Sequence, residues 1–341
     1  MISVRGRSAA PIRGRSARPS LAAATLAALA LVSGCGYVEG SPPPSGPVQS
    51  QAEPPLPPGA TVHPGPQTPS PERSCANLTA SLPPLTDPPQ VPTPTVGEIR
   101  ARGRLIVGLD TGSNLMSFRD PASGTVQGFD ADIAREVARD LFGDPERVEF
   151  RLLTSADRLR ALEAGDVDIV VKTMSITCER REHVSFSTEY FEANQRIAVI
   201  EGSTVAGPAD LAGRRVCVVD GTTSLTRIGA IAPTATIVSV PMWSDCLVLL
   251  QQQQVDAVST DDTILGGMIT QDPYLKMVGP SLGAEPYGVG IPPGDDDMVR
   301  FVNATLERIR ADGTWMSMYN RWLWILGPAF GPPTPVYGDV P

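Results

Sequence analysis

Two distant stretches of the 341-residue chain share one local pattern: LEAGDVDIVV, Leu162 to Val171, and LQQQQVDAVS, Leu250 to Ser259. Each reads as the end of a helix, a short connection, a Val-Asp pair and a buried strand. Strands joined through helices pair in parallel, because a tight turn cannot reverse the direction of such a connection. Between the two lies DLAGRRVCVVDGTTSLTRIGAIAP, again strand, glycine turn and helix. Ahead of them LIVGLD, Leu105 to Asp110, reads as a buried strand. It is followed by DADIAREVARDLFGDP, in which Ile133, Val137 and Leu141 fall at four-residue spacing, with acidic residues at the start, Gly143 past the end and Pro145 beyond. A shorter helix is expected from about Ala156 to Ala164, closed by Gly165. The spacing predicts two lobes of similar α/β design, which suits the length of the chain. Beyond Asp297, Met298, Val302, Leu306 and Ile309 define one more helical face, and the aromatics of GTWMSMYNRWLWILG are expected to seal a core. The glutamines Gln251 to Gln254 read as a solvated helix end.

Both ends of the chain are of another kind. Arg5, Arg7, Arg13, Arg15 and Arg18 precede an apolar run from Leu21 to Val32, followed by Val32-Ser33-Gly34-Cys35. Twelve apolar residues are too few to span a bilayer. The stretch is an export signal that resembles a bacterial lipobox, implying cleavage before Cys35 and a diacylglyceryl anchor on its sulfur. An ordinary signal peptide with a chance cysteine is the alternative. From Gly36 to Thr95 lie 18 of the 35 prolines and little hydrophobic periodicity, so residues 35–95 are expected to form an extended, semi-rigid tether, with structure beginning near Val96. Residues 328–341 form a second proline-rich tail.

Composition narrows the chemistry. The formal charge is −9, and loss of the five leader arginines makes it −14, which argues against nucleic acid as a partner. With only His63 and His183 there is little material for a histidine metal site or relay, and no metal or cofactor is expected. Setting Cys35 aside leaves Cys75, Cys178, Cys217 and Cys246, an even number that in an exported chain favours two disulfides.

Seven stretches, in order between Leu105 and Gly327, carry a family likeness: LIVGLD, GFDADIAREVA, ALEAGDVDIVVKTMSITCERREHVSFSTEYF, DLAGRRVCVVDGTTS, VDAVSTDD, PYGVGIPPG and IRADGTWMSMYNRWL. Together they resemble the extracellular solute-binding proteins for polar amino acids, the glutamine- and glutamate-binding group served by ABC importers. The resemblance implies a periplasmic-binding-protein-like type II fold. Lobe 1 would comprise 96–197 and 287–327 and lobe 2 198–286. NQRIAVI (Asn194 to Ile200) and PYGVGI (Pro286 to Ile291) would be the crossings, and ligand would favour closure of the cleft between the lobes. In that layout Cys217 and Cys246 fall in the second lobe and pair there, leaving Cys75 to pair with Cys178 and tie the tether to the loop carrying Arg180.

A free amino acid presents a carboxylate and an ammonium. The family's arginine falls on Arg180, whose planar fork suits a carboxylate; a surface pair with Glu179 or Glu182 is the alternative. Ser175 matches the family's hydroxyl and Thr173 its backbone contact. Gly221, Thr222 and Thr223 stand where a helix begins, with free N–H groups and the positive end of its dipole. Asp261 matches the acidic residue that would take the ammonium. Asp110 is a second candidate for it, or a turn cap at a strand end.

One departure bears on specificity. Close glutamine binders sandwich the ligand side chain between two aromatics, and those positions fall on Ser113 and Ser155. Lys172 stands where such proteins often carry a small residue. Lys172, helped by Ser113, Asn114 and Arg158, is expected to hold a side-chain carboxylate, favouring glutamate and aspartate over glutamine, with the amides, asparagine above all, kept as the alternative ligands; pairing of Lys172 with an acidic neighbour is the alternative role. The resemblance implies a monomeric, lipid-anchored extracytoplasmic protein that passes ligand to an ABC permease. A sensor signalling to a membrane partner is one rival. A dehydratase on the same scaffold is another, although no general acid–base pair stands out.

Overall fold

A computed structural model of the chain describes residues 54–68, 73–87 and 89–338; the leader, Cys35 and the first part of the proline-rich stretch lie outside these residues. Lobe 1 is built on the fully buried strand Leu105–Leu109, which pairs in parallel with Val148–Leu152 on one side and Ile169–Val170 on the other. Gly290–Ile291 and Ser185–Phe186 extend this sheet in antiparallel fashion. The helix Phe129–Phe142 covers it with Ile133, Val137 and Leu141, and ends at Gly143, whose φ of 72° is the left-handed cap that glycine adopts without strain. Helices Asp296–Ala311 and Thr314–Trp322 complete the lobe. Phe129, Tyr190, Phe191, Trp315 and Tyr319 pack against one another in its core, so the aromatics near the C-terminus do seal a core, while Trp324 is exposed.

Lobe 2 centres on Arg215–Val219, flanked in parallel by Thr236–Val240 and Ala257–Asp261. The long strands Phe191–Ile200 and Leu275–Tyr287 close this sheet and pair antiparallel with each other. They are also the crossings. The pairing of Ala193 with Glu285 and of Phe191 with Tyr287 carries them out of lobe 2, and the chain is already in the lobe 1 sheet at Gly290. The second crossing therefore lies mostly before Pro286.

The proline-rich stretch differs most from the expectation of a free tether. Thr61–His63 is the outermost strand of lobe 2, antiparallel to Thr236–Val240, with His63 Nε2 2.9 Å from Ser239 Oγ and Leu56 and Ala60 against the core. Residues 78–85 lie on lobe 1, where Ala80 and Ser81 are buried. The C-terminal tail joins them: Ser81 N donates to Val336 O at 3.0 Å, and Tyr337 OH to Glu307 at 2.9 Å. Disulfides link Cys75 to Cys178 and Cys217 to Cys246. Among the described residues no helix is long and apolar enough to cross a membrane.

Candidate functional site

The polar residues that interrupt each apolar strand gather at the C-terminal ends of the parallel strands of both lobes, where open α/β sheets bind ligands. In lobe 1 the chain leaves Ile169–Val170 through Lys172, Thr173 and Ser175 and enters a single helical turn, Cys178–Arg181, capped by Thr177. In lobe 2 Arg215–Val219 leads through Gly221 to the helix Thr223–Ile231, and Ala257–Asp261 ends on its acid.

A small pocket lies between these ends. Ser155, Arg158, Thr173, Ser175 and Arg180 line it from lobe 1; Thr222, Thr223, Trp243 and Asp261 line it from lobe 2. Arg180 is buried and donates to Ser175 O at 2.7 Å and, across the cleft, to Gly221 O at 3.1 Å. Arg158 donates to Ser155 O at 2.9 Å and to the same Gly221 carbonyl at 3.0 Å. Two guanidiniums of one lobe thus converge on a single carbonyl of the other. Burial lowers the pKa of both; Arg158, which also feels Arg180, is pushed down to about 9. Gly221 has φ +70°, and a Cβ there would stand 2.6 Å from Ala156 Cα of lobe 1. Only glycine allows this approach.

Asp261 faces the guanidiniums across the pocket. Its Oδ2 accepts from Tyr287 OH, whereas its buried Oδ1 has no hydrogen-bond partner. Burial, reinforced by the charge of Glu285, raises its carboxyl well above the usual aspartate range. A buried acceptor left unmatched by the protein is costly unless a donor reaches it. Thr222 caps the Thr223 helix through Leu225 N at 3.3 Å, and Thr223 Oγ donates to Glu285 at 2.8 Å. Their hydroxyls are engaged, and both residues line the pocket at the start of the helix.

The other expected residues lie just behind. Lys172 and Asp110 form a buried ion pair, Lys172 Nζ reaches Ser155 Oγ at 3.1 Å, and Ser113 Oγ donates to Asp110 at 3.2 Å. Asp110 here is the acidic partner of Lys172. Burial lowers the Lys172 pKa against the opposing effect of Asp110. Asn114 spans the cleft instead, donating to Gly267 O at 3.2 Å and Thr270 Oγ1 at 2.8 Å. Two supports escaped the sequence reading. Trp243 walls the pocket from the start of a helix. Asp130, which reads as an acid at a helix start, accepts from Thr173 N at 2.8 Å and from Tyr190 OH at 2.8 Å. It thereby holds Thr173 at φ +41°, a conformation rare outside glycine.

Fold and site together define a two-lobed amino-acid-binding protein of the type II periplasmic class. The model of the bacterial extracellular solute-binding proteins, family 3, matches residues 105–325, and the chain belongs to that family. It is 34% identical over 230 residues to the ABC transporter glutamine-binding protein GlnH of Bacillus subtilis (strain 168), covering 67% of this chain and 84% of that protein. To the glutamate-binding protein GluB of Corynebacterium efficiens it is 31% identical over 225 residues, covering 62% and 76%. Among solved structures, the ancestral amino acid-binding protein AncCDT-1, a precursor of cyclohexadienyl dehydratase, superposes with a TM-score of 0.62 at 32% identity, covering 67% of this chain and 99% of that one.

Proposed function

We propose that the protein is a lipid-anchored extracytoplasmic receptor for an acidic amino acid, glutamate or aspartate, which closes on its ligand and passes it to an ABC importer. The observation that carries this reading is the charge lining the pocket. Arg158 and Arg180 face the single acidic side chain of Asp261, so that even with Asp261 ionised by a bound ammonium one positive charge is left in excess. A ligand with two carboxylates and one ammonium neutralises that excess; glutamine or asparagine leaves it. In this reading Arg180 and the N–H groups at the start of the Thr223 helix take the α-carboxylate, with Ser175 and the Thr173 backbone alongside. Asp261 Oδ1 takes the ammonium. The side-chain carboxylate lies toward Arg158 and Ser155, with Lys172 one hydrogen bond behind, its charge shared with Asp110. Because the guanidiniums come from lobe 1 and the helix N–H groups and the ammonium acceptor from lobe 2, the zwitterion binds fully only in the closed form.

Export and anchoring at Cys35 rest on the arginine-rich leader and the lipobox-like Val32-Ser33-Gly34-Cys35; delivery to an importer rests on the relatives' transport roles. A dehydratase would call on Lys172 as a proton donor or acceptor, and that amine is held by Asp110 and Ser155. A thermal-shift panel of the twenty amino acids followed by calorimetry tests the proposal, since a true ligand stabilises the fold by mass action. Glutamate or aspartate is expected to bind about tenfold or more tightly than its amide, the worth of one charge-assisted contact. Equal or tighter binding of the amides overturns the acidic assignment.

A further inference from the structure

The helix bearing Arg180 is one turn long, Cys178–Arg181. So short a helix has too few internal hydrogen bonds to hold its own conformation. Thr177 caps its start, Arg180 N donating to Thr177 Oγ1 at 3.1 Å. Beyond the Arg180 contacts to Ser175 and Gly221, its two ends are tied by residues 75–80 of the proline-rich stretch, outside the α/β alternation of either lobe. Cys178, the first residue of the turn, is bonded to Cys75. Arg181, the last, donates from Nε to Leu78 O at 2.8 Å and from Nη2 to Ala80 O at 2.7 Å. Arg180 lies between these two ties.

The strap is itself fixed to lobe 1. Ser81 Oγ donates to Phe186 O at 2.8 Å, and Asn303 Nδ2 donates to Ser81 Oγ at 2.9 Å and Leu82 O at 2.7 Å. Leu78 packs on the cluster that includes Met174 and Ile176, on the same segment as Ser175. The strap thus connects the turn to the rigid part of the lobe.

We propose that Cys75, Cys178 and Arg181 are positioning residues for ligand binding: the strap clamps both ends of the turn, so that the Arg180 fork is preorganised for the α-carboxylate. This rests on the assignment of Arg180 to that carboxylate. Preorganised donors lose less freedom on binding, and slackening the clamp returns that cost to the binding step.

The test is calorimetry with glutamate and with its α-amide, which lacks the α-carboxylate charge. Three variants are compared with the parent: Cys75→Ser/Cys178→Ser, Arg181→Ala, and Cys217→Ser/Cys246→Ser, which removes the other bridge. The first two are expected to weaken glutamate about tenfold and to leave the α-amide and the closure-independent melting behaviour of lobe 2 little changed. The third is expected to leave the glutamate affinity alone. In an Arg180→Lys background, loss of the Cys75–Cys178 bridge is expected to cost nothing further. Equal losses for both ligands, or an undiminished glutamate affinity in Arg181→Ala, overturn the proposal, and Arg181→Ala keeps the bridge if the cysteine variant does not fold. Should Arg180→Lys alone bind glutamate as the parent does, the assignment of Arg180 falls and the proposal with it. Should Arg180→Lys weaken glutamate while the strap variants do not, only the positioning role falls.

Discussion

Asp261 combines two properties that a single ligand can resolve. Its Oδ1 is buried and unmatched, and its carboxyl is raised above the usual range by burial and by Glu285. A raised folded pKa means that the free site holds a proton at pH values where an exposed aspartate does not. An ammonium favours the carboxylate, so binding is expected to release that proton and to tighten as pH rises through the raised pKa. Calorimetry in buffers of different ionisation enthalpy reads the release directly; uptake of a proton, or no change between buffers, contradicts the role given to Asp261. The Lys172–Asp110 pair has the opposite character, since each charge is already answered inside the fold. Lys172→Ala leaves Asp110 buried and alone, at a cost of about 3 to 5 kcal/mol. The double variant Lys172→Met/Asp110→Asn is expected to cost much less, and denaturant midpoints of the two variants make the comparison.

At the level of elements, the approach of the two lobes depends on the turn before the Thr223 helix. Gly221 offers its carbonyl to Arg158 and Arg180 while its Cα lies against Ala156, in a conformation with φ +70°. Gly221→Ala adds a methyl group 2.6 Å from a backbone atom of the opposite lobe. That clash exists only when the lobes meet, whereas the positive φ is a burden of lobe 2 alone. The variant is therefore expected to melt within a few degrees of the parent, the left-handed conformation costing about 1 kcal/mol, yet to bind at least about tenfold more weakly. Small-angle scattering with saturating ligand would find it more open than the parent. Asp130 does comparable work in lobe 1, holding the Thr173 turn from the start of a helix. Burial raises its own carboxyl to about 7. Its contribution to stability is accordingly present below the unfolded aspartate value and lost as pH rises through about 7.

Across the whole molecule, the two hinge strands are supplemented by chain from both ends. Residues 54–68 add a strand to lobe 2, residues 75–85 lie on lobe 1, and the tail at Val336 and Tyr337 bonds to Ser81 and Glu307. The strand Thr61–His63 covers an edge that would otherwise present unpaired N–H and C=O groups. Deleting residues 54–68 while keeping Cys75 is expected to lower the melting temperature by roughly 5 °C and to leave affinity within about twofold. A large loss of affinity would mean that this strand takes part in closure.

The alternation of strands and helices was legible because periods of 2 and 3.6 are properties of the backbone and need no knowledge of neighbours. So was the delivery of polar groups to a crevice after the Val167–Val171 run, since polar residues directly after a buried strand emerge at its end. The choice of Arg180, Thr173, Ser175 and Asp261 among them rests on the family resemblance. Tertiary structure alone decided which charged and polar side chains pair. Asp110 and Lys172 are 62 residues apart, and nothing in the spacing says that they meet each other instead of a ligand. The shared Gly221 carbonyl and the engagement of Asn114 with lobe 2 are likewise contacts between lobes, fixed by their approach. The proline-rich stretch hid its strand for a related reason: Thr61 to His63 lies between Pro58 and Pro64, too short to show alternation, whereas its tie to Cys178 through Cys75 is expected from the resemblance and is present. Its place is set by the open sheet edge of Thr236–Val240 and by the cysteine at position 178.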